Sequence, residues 1–427
     1  MKKHIYFPAA LFLSHLSFSP AYAFPPSADF TTEKKEASSQ STAQEKEILS
    51  DIGKACSSEK GAAIAEQFYA NLLKDKTDTF TGKFNYASQQ GGVQAGRLAM
   101  AIGKCFKTFY EEGSYNALTL QLQHIASRHA QLNIQAEEYL SIGDAFIKTL
   151  KDHGVLTNDT EIKVVENAYT ELAEILKGLE EKIYDRAKNT ENAWTGEKLL
   201  TLSNKETCGD YVTWTLKPAD EGPLTVPPPG SSITLMDKVE ISGRTILQMR
   251  PYTPYITKGD LRITVKNIGL FSEHLFKANE GTTIKAFSPV GTYEDQFPNP
   301  ESGEAILLTA GSGITEAFSI IPSLEKQGIK TFFIHTTQNQ DNDLSQTINS
   351  TSLLEKYVFY TQSNQTNDSS ENISFGRIKE DKLKNILQDI HWKESRFFIC
   401  GPKGFTEQMT KYLKNLYTDS QIITQGR

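Results

Sequence analysis

Ile306-Leu-Leu-Thr309-Ala-Gly311-Ser-Gly313-Ile-Thr315 reads as a strand that ends in a glycine turn and continues as a helix. A short apolar run bounded by turn residues suits a strand covered on both faces. Small residues at Gly311 and Gly313 let another molecule approach the backbone closely. The helix extends by its pattern from Thr315 to Gln327, and Thr331-Phe-Phe-Ile334 forms the next strand. Arg396-Phe-Phe-Ile-Cys400 and a further helix close the series. Strands alternating with helices predict an α/β domain with a mainly parallel sheet over residues 301–427. Two polar stretches, Thr337 to Ser352 and Thr361 to Ser374, read as long surface loops.

Moving towards the N-terminus, the composition changes. Over residues 191–300, β-branched and aromatic runs alternate with Gly/Pro clusters such as Pro227-Pro-Pro-Gly230, which predicts an antiparallel β-barrel. Over residues 45–190, Gly and Pro are scarce and apolar residues recur at three and four. Ile64, Phe68 and Leu72 show the pattern, as do Leu98, Ile102 and Phe106, so this part is all-α. Residues 24–44 are polar and without period, which predicts a solvated tether. Residues 1–23 combine Lys2-Lys3, an apolar run from Ile5 to Phe18 and the small-x-small sequence Ala21-Tyr-Ala23. That run is short for a membrane span and predicts a cleaved secretory signal, hence an exported, periplasmic protein without stable membrane insertion.

The chain has 427 residues, enough for two or three domains, and a net charge of −7. That balance gives no electrostatic reason for a nucleic-acid partner. Its four cysteines, Cys56, Cys105, Cys208 and Cys400, match neither a zinc-site spacing nor a disulfide-dense scaffold. Cys56 and Cys105 both lie in the helical part, where a bridge between packed helices is one reading.

Several residue sets carry chemistry. Arg250-Pro-Tyr252-Thr253 offers a guanidinium fork that can pair with an anion, a flat ring and a hydroxyl. Gly269-Leu-Phe-Ser272 follows a strand, where it serves either as an anion-binding helix start or as an ordinary cap. Cys400-Gly401-Pro402-Lys-Gly-Phe405 sits at the end of a late strand. In the helical part, Leu122, Ile125, His129 and Leu132 share one face, so His129 points inward, as a core residue or a ligand.

Together these residues resemble the flavohaemoglobins. The globin half is matched by Phe68-Tyr69, Phe84, Gln94, Leu98, Ile125-Ala-Ser-Arg-His129-Ala, Glu137-Glu-Tyr139 and Glu180, and the resemblance continues through the reductase motifs to the C-terminus. It implies haem b, with His129 as iron ligand, Tyr139 and Glu180 as the ligand's partners, and Phe84 packed on the porphyrin. Tyr69, Gln94 and Leu98 would line the side where dioxygen binds, and Arg128 would meet a propionate or the flavin domain. It implies FAD on Arg250, Tyr252, Thr253, Gly269 and Ser272. NADH or NADPH would lie on Gly311, Gly313, Thr315, Cys400, Gly401, Pro402 and Phe405. The implied reaction is oxidation of nitric oxide by dioxygen to nitrate.

Three positions depart from the family pattern. Glu316 stands where the family has proline, and Gln425 and Arg427 stand where it carries an acid and an aromatic near the flavin. The polar loop after His335 lacks an arginine for a 2′-phosphate, which favours NADH. The departures motivate a second reading, an exported globin that binds or senses a diatomic gas beside a degenerate reductase half. A third is a flavin reductase whose acceptor is an external electron carrier.

Overall fold

The computed structural model describes residues 43–58, 60–74, 78–84, 101, 104–109, 111–112, 115–241, 243–362, 372–417 and 421–426. The predicted signal, the tether before residue 43, and Gln94 and Leu98 lie outside them. The described chain divides into two compact units. One runs to Lys182 and takes in Glu240–Met249; the other holds Ile183–Val239 and the residues from Arg250.

The first unit is helical: α1 (Ala43–Ser57), α2 (Gly61–Leu73), the short α3 (Asp78–Gly82), α4 (Thr119–Gln131), α5 (Glu138–Asp152) and α6 (Asp159–Lys188). Residues 104–109 are helical as well. On α2, Ile64, Ala65, Phe68, Tyr69 and Leu72 are buried, the stripe that a 3.6-residue period lays along one face. It packs against α5, where Phe146 meets Phe68 edge-on with centroids 6.3 Å apart. On its other side Phe146 stacks on Phe106 at 5.9 Å. A Cβ on Gly143 of α5 would stand 2.6 Å from the Tyr169 ring of α6, so this glycine lets the two helices close up. There the Tyr169 hydroxyl donates to the Tyr139 carbonyl at 2.7 Å.

Cys56 and Cys105 are buried thiols, so the bridge considered from sequence is not formed. Desolvation pushes Cys56 up to about 12 and Cys105 to about 11, which keeps both protonated and unreactive.

From Glu197 onwards the chain forms two sheets. The first is antiparallel, in spatial order β4 (Arg244–Tyr252), β3 (Ser232–Ile241), β7 (Thr283–Val290), β1 (Glu197–Cys208), β2 (Tyr211–Pro218), β6 (Asp260–Lys266), β5 (Pro254–Thr257). Trp214 on β2 is fully buried and donates its indole N–H to the Leu275 carbonyl, 3.0 Å away, tying α7 (Leu270–Lys277) to the sheet.

The second sheet is parallel. Its order is β11 (Ile373–Phe375), β10 (Leu354–Tyr360), β9 (Thr331–Thr337), β8 (Ala305–Ala310), β12 (Arg396–Gly401), β13 (Gln421–Gly426). Helices cover both faces. Leu307, Phe333 and Phe398 pack under α8 (Ile314–Lys326). Ile306, Leu308, Phe397 and Ile399 pack with Leu383 of α9 (Glu380–Ile386) and with Met409 and Leu413 of α10 (Lys403–Leu416). Burial of alternate residues on opposite faces explains why the strand that opens the domain reads as apolar throughout.

β8 continues to β9 on one side, and its other neighbour is β12. The strand order therefore reverses between β8 and β12, where α/β sheets place ligands beyond the carboxyl ends of their strands.

Two expectations need correction. The stretch Thr337 to Ser352 is not a plain surface loop: it forms 3-10 turns and buries Leu344 and Ile348 in the core. Within the second polar stretch, Ile373–Phe375 is a strand paired in parallel with β10. Hydrophobic anchors only four residues apart in a polar run leave no period to read.

His335 of β9 is fully buried, its Nδ1 2.8 Å from the Thr309 hydroxyl, and desolvation lowers its pKa from 6.5 to about 4. A folded value below the unfolded one makes His335 harmless above about pH 6.5 and destabilising as pH falls towards 4. At pH 5 the loss is about 2 kcal/mol relative to pH 7. His335→Gln is expected to shrink the stability difference between pH 7 and pH 5 by that amount in urea denaturation; an undiminished difference would exclude His335 as its source.

Candidate functional site

On α4, the His129 ring is oriented from one side. Its Nδ1 lies 2.8 Å from Glu180 Oε1 and 2.9 Å from the Tyr139 hydroxyl, and Tyr139 donates to the same Glu180 oxygen. Carboxylate oxygens accept, so Nδ1 carries the ring proton and Nε2 keeps its lone pair. The Glu180 side chain is 3% exposed and that of His129 27%, so the partners are sealed in while the ring keeps an accessible edge. Such an arrangement suits a metal ligand made electron-rich by its partner. Among the described residues no cluster of three or more His, Cys, Asp or Glu side chains gathers for a bare metal ion. An iron already held by a porphyrin needs only one histidine.

The segment after α4 is fixed by a buried cation that sequence reasoning missed. Lys83, 3% exposed, donates to the Asn133 carbonyl at 2.8 Å and to both Glu138 oxygens at 2.6 Å. Burial lowers its pKa, and Glu138 opposes that shift. Asn133 has φ +54°, a left-handed turn that asparagine tolerates, and Lys83 caps its carbonyl there. A lone lysine in sequence gives no hint of this role. Arg128 donates to Gln131 at 3.0 Å. Tyr69, 8% exposed on α2, contacts the Phe84 ring edge-on at 5.7 Å.

In the second unit, β4 carries Arg250 and Tyr252 on one face. Surrounding protein lowers Arg250 from 12.5 to about 10, which leaves it cationic at neutral pH, and the residue keeps part of its surface accessible. Tyr252 stacks on Phe271 of α7, centroids 6.3 Å apart and planes 24° apart, a partner that the sequence motif did not name. Ser272 takes the capping role: its hydroxyl accepts from the Gly269 N–H at 2.9 Å and donates back to the Gly269 carbonyl at 2.9 Å. Nothing lies within 4 Å of where a Gly269 Cβ would sit, so the start of α7 is open.

At the reversal of strand order, the two C-terminal motifs meet. Gly311 has φ +54°, and a Cβ on Gly313 would sit 2.1 Å from the Cys400 carbonyl oxygen, so neither position admits a side chain without strain. Thr315 turns its hydroxyl back to the Ser312 carbonyl at 3.1 Å. Gly401 fits between Phe405 and Ala310, and Pro402 leads into α10. Cys400 is buried, and the Gln425 backbone pairs with it across β12 and β13. The Gln425 side chain and Arg427 are outside the described residues. Thr253, directly after β4, donates to Glu316 Oε1 at 2.7 Å, and both residues are buried.

No protein-family model matches the chain. Over 378 residues it is 26% identical to the flavohemoprotein of Oceanobacillus iheyensis, covering 84% of this chain and 89% of that one. Over 388 residues it is 27% identical to the flavohemoprotein of Halalkalibacterium halodurans, covering 86% and 91%. Among solved structures, the flavohemoglobin from Malassezia yamatoensis with bound FAD and heme matches with a TM-score of 0.76 at 21% identity, covering 90% of this chain and 98% of that one. That likeness shows the fold: a helical globin part, an antiparallel flavin-type sheet and a parallel nucleotide-type sheet. The chain is thus similar to flavohemoproteins over most of its length.

Proposed function

We propose that this protein is a flavohaemoglobin that uses NAD(P)H to oxidise nitric oxide with dioxygen to nitrate. The observation that carries the reading is the His129 ring, held at Nδ1 by Glu180 and Tyr139 so that Nε2 is presented for iron. A bound haem supplies an iron that binds and activates dioxygen, FAD exchanges hydride for single electrons, and the protein positions both. Glu180 and Tyr139 fix the His129 tautomer and make its other nitrogen more basic. Tyr69 would donate to bound dioxygen. Arg250 would pair with the FAD pyrophosphate, Tyr252 with Phe271 would flank the cofactor, and the open start of α7 would take negative charge at its N–H groups. Gly311, Gly313 and the Cys400–Pro402 turn would hold the nicotinamide end.

NADH is the proposed donor: the loop after β9 carries Asp341 and Asp343 and no cationic residue, which disfavours a 2′-phosphate. Export to the periplasm is also proposed, on the basic start, apolar run and Ala21-Tyr-Ala23. Among the described residues no helix is long and apolar enough to cross a membrane.

The test is an absorption spectrum of the purified protein before and after anaerobic NADH. A haem Soret band with flavin absorbance, shifting to ferrous haem on mixing, is expected. A Soret band without flavin, or one unmoved by NADH and NADPH, would leave a gas-binding globin. Flavin reduction in a protein that takes up no haem would leave a reductase with an external acceptor.

A further inference from the structure

Glu316 occupies the first turn of α8, directly after the glycine turn, and is 3% exposed. Burying a carboxylate is costly without a partner, and here the Thr253 hydroxyl donates to it at 2.7 Å. The contact joins residues 63 positions apart, one from the flavin motif and one from the nucleotide-binding half. A threonine hydroxyl has one proton to donate and lone pairs with which to accept. With its proton directed at Glu316, Thr253 faces any third group as an acceptor.

We infer that Glu316 sets the direction of the Thr253 hydroxyl, so that Thr253 offers the flavin a lone pair and thereby favours the reduced cofactor. The inference rests on the proposed flavin site. The ring nitrogen that accepts hydride has only a lone pair in oxidised FAD and gains an N–H on reduction. A hydroxyl that can only accept meets the oxidised nitrogen lone pair to lone pair and the reduced one as a hydrogen-bond partner. Proline at position 316 has no side-chain acceptor to hold the Thr253 proton, which could then be donated to the oxidised form. Glu316 is thus a positioning residue that tunes how strongly the protein prefers reduced FAD.

One hydrogen bond gained or lost corresponds to about a tenfold change in the ratio of affinities for reduced and oxidised FAD. For a two-electron couple that is ~30 mV in midpoint potential. The experiment is dye equilibration of the FAD-loaded, full-length protein. Glu316→Ala is expected to move the flavin potential down by that amount. Glu316→Gln, whose amide carbonyl still accepts from Thr253, stays near wild type. In a Thr253→Val background, Glu316→Ala has no further effect.

The inference is overturned by an unchanged potential in Glu316→Ala, or by an Ala shift that persists without the Thr253 hydroxyl. Equal shifts in the Ala and Gln variants would also overturn it, since they would assign the effect to charge. A wild-type chain that takes up no FAD at all overturns the flavin reading itself, an outcome separate from these. Should Glu316→Ala fail to fold, Glu316→Gln and Thr253→Val alone decide: a Gln potential as low as that of Val refutes the orientation, and one near wild type supports it.

Discussion

His129→Ala is expected to remove the Soret band and nitric oxide consumption together, while NADH still reduces the flavin. The substitution deletes the His129 imidazole and leaves Glu180 and Tyr139 with each other as partners. Loss of a group that merely orients a metal ligand costs about 10–100-fold in metal affinity or activity. Loss of the ligand itself exceeds that, so haem binding falls below detection at ordinary protein concentrations. Glu180→Gln, which keeps the shape and removes the charge, falls within the smaller range. Misfolding is separated from ligand loss by adding imidazole to the His129→Gly variant. A Soret band restored by imidazole shows an intact cavity that lacks its ligand. If haem stays bound in His129→Ala with an unchanged spectrum, another residue ligates the iron and the central assignment is wrong.

The path from sequence to this site is uneven, for physical reasons. Periodicity places His129 on an inward face because Leu122 and Leu132, seven residues before it and three after, belong to the core. It says nothing of Glu180, which lies 51 residues away on another helix and meets His129 only through the packing of α6. The parallel sheet was legible because Ile306, Leu307 and Leu308 are apolar on both faces, the signature of a strand sandwiched between helices. Lys83 gave no signal: its role depends on a carbonyl and a carboxylate brought to it by a turn some fifty residues on. Ser272 shows the converse. Its motif was visible, but only the geometry shows its hydroxyl engaged in capping α7. Glu316 was visible as a departure, and the Thr253 contact gives the departure a physical meaning.

Arg250→Ala is expected to lower FAD affinity by about 10²–10⁴-fold and leave the haem spectrum intact. The guanidinium sits where protein atoms have replaced much of its water, which is why its pKa falls to about 10. A pyrophosphate reaching a cation in such surroundings is attracted more strongly than one reaching an exposed cation. Two charge-assisted hydrogen bonds at roughly 1.5–3 kcal/mol each supply the range. Arg250→Lys keeps the charge and loses the planar fork, so it should recover part of the affinity and not all of it. Without FAD, melting of the Arg250→Ala protein is expected to stay near wild type. With saturating FAD, the wild type gains stability and Arg250→Ala gains much less, since stabilisation by a ligand follows its affinity. Equal melting shifts on FAD addition in the two proteins would remove Arg250 from the pyrophosphate site. A large loss of stability in the apo-variant would instead assign Arg250 to holding the sheet together.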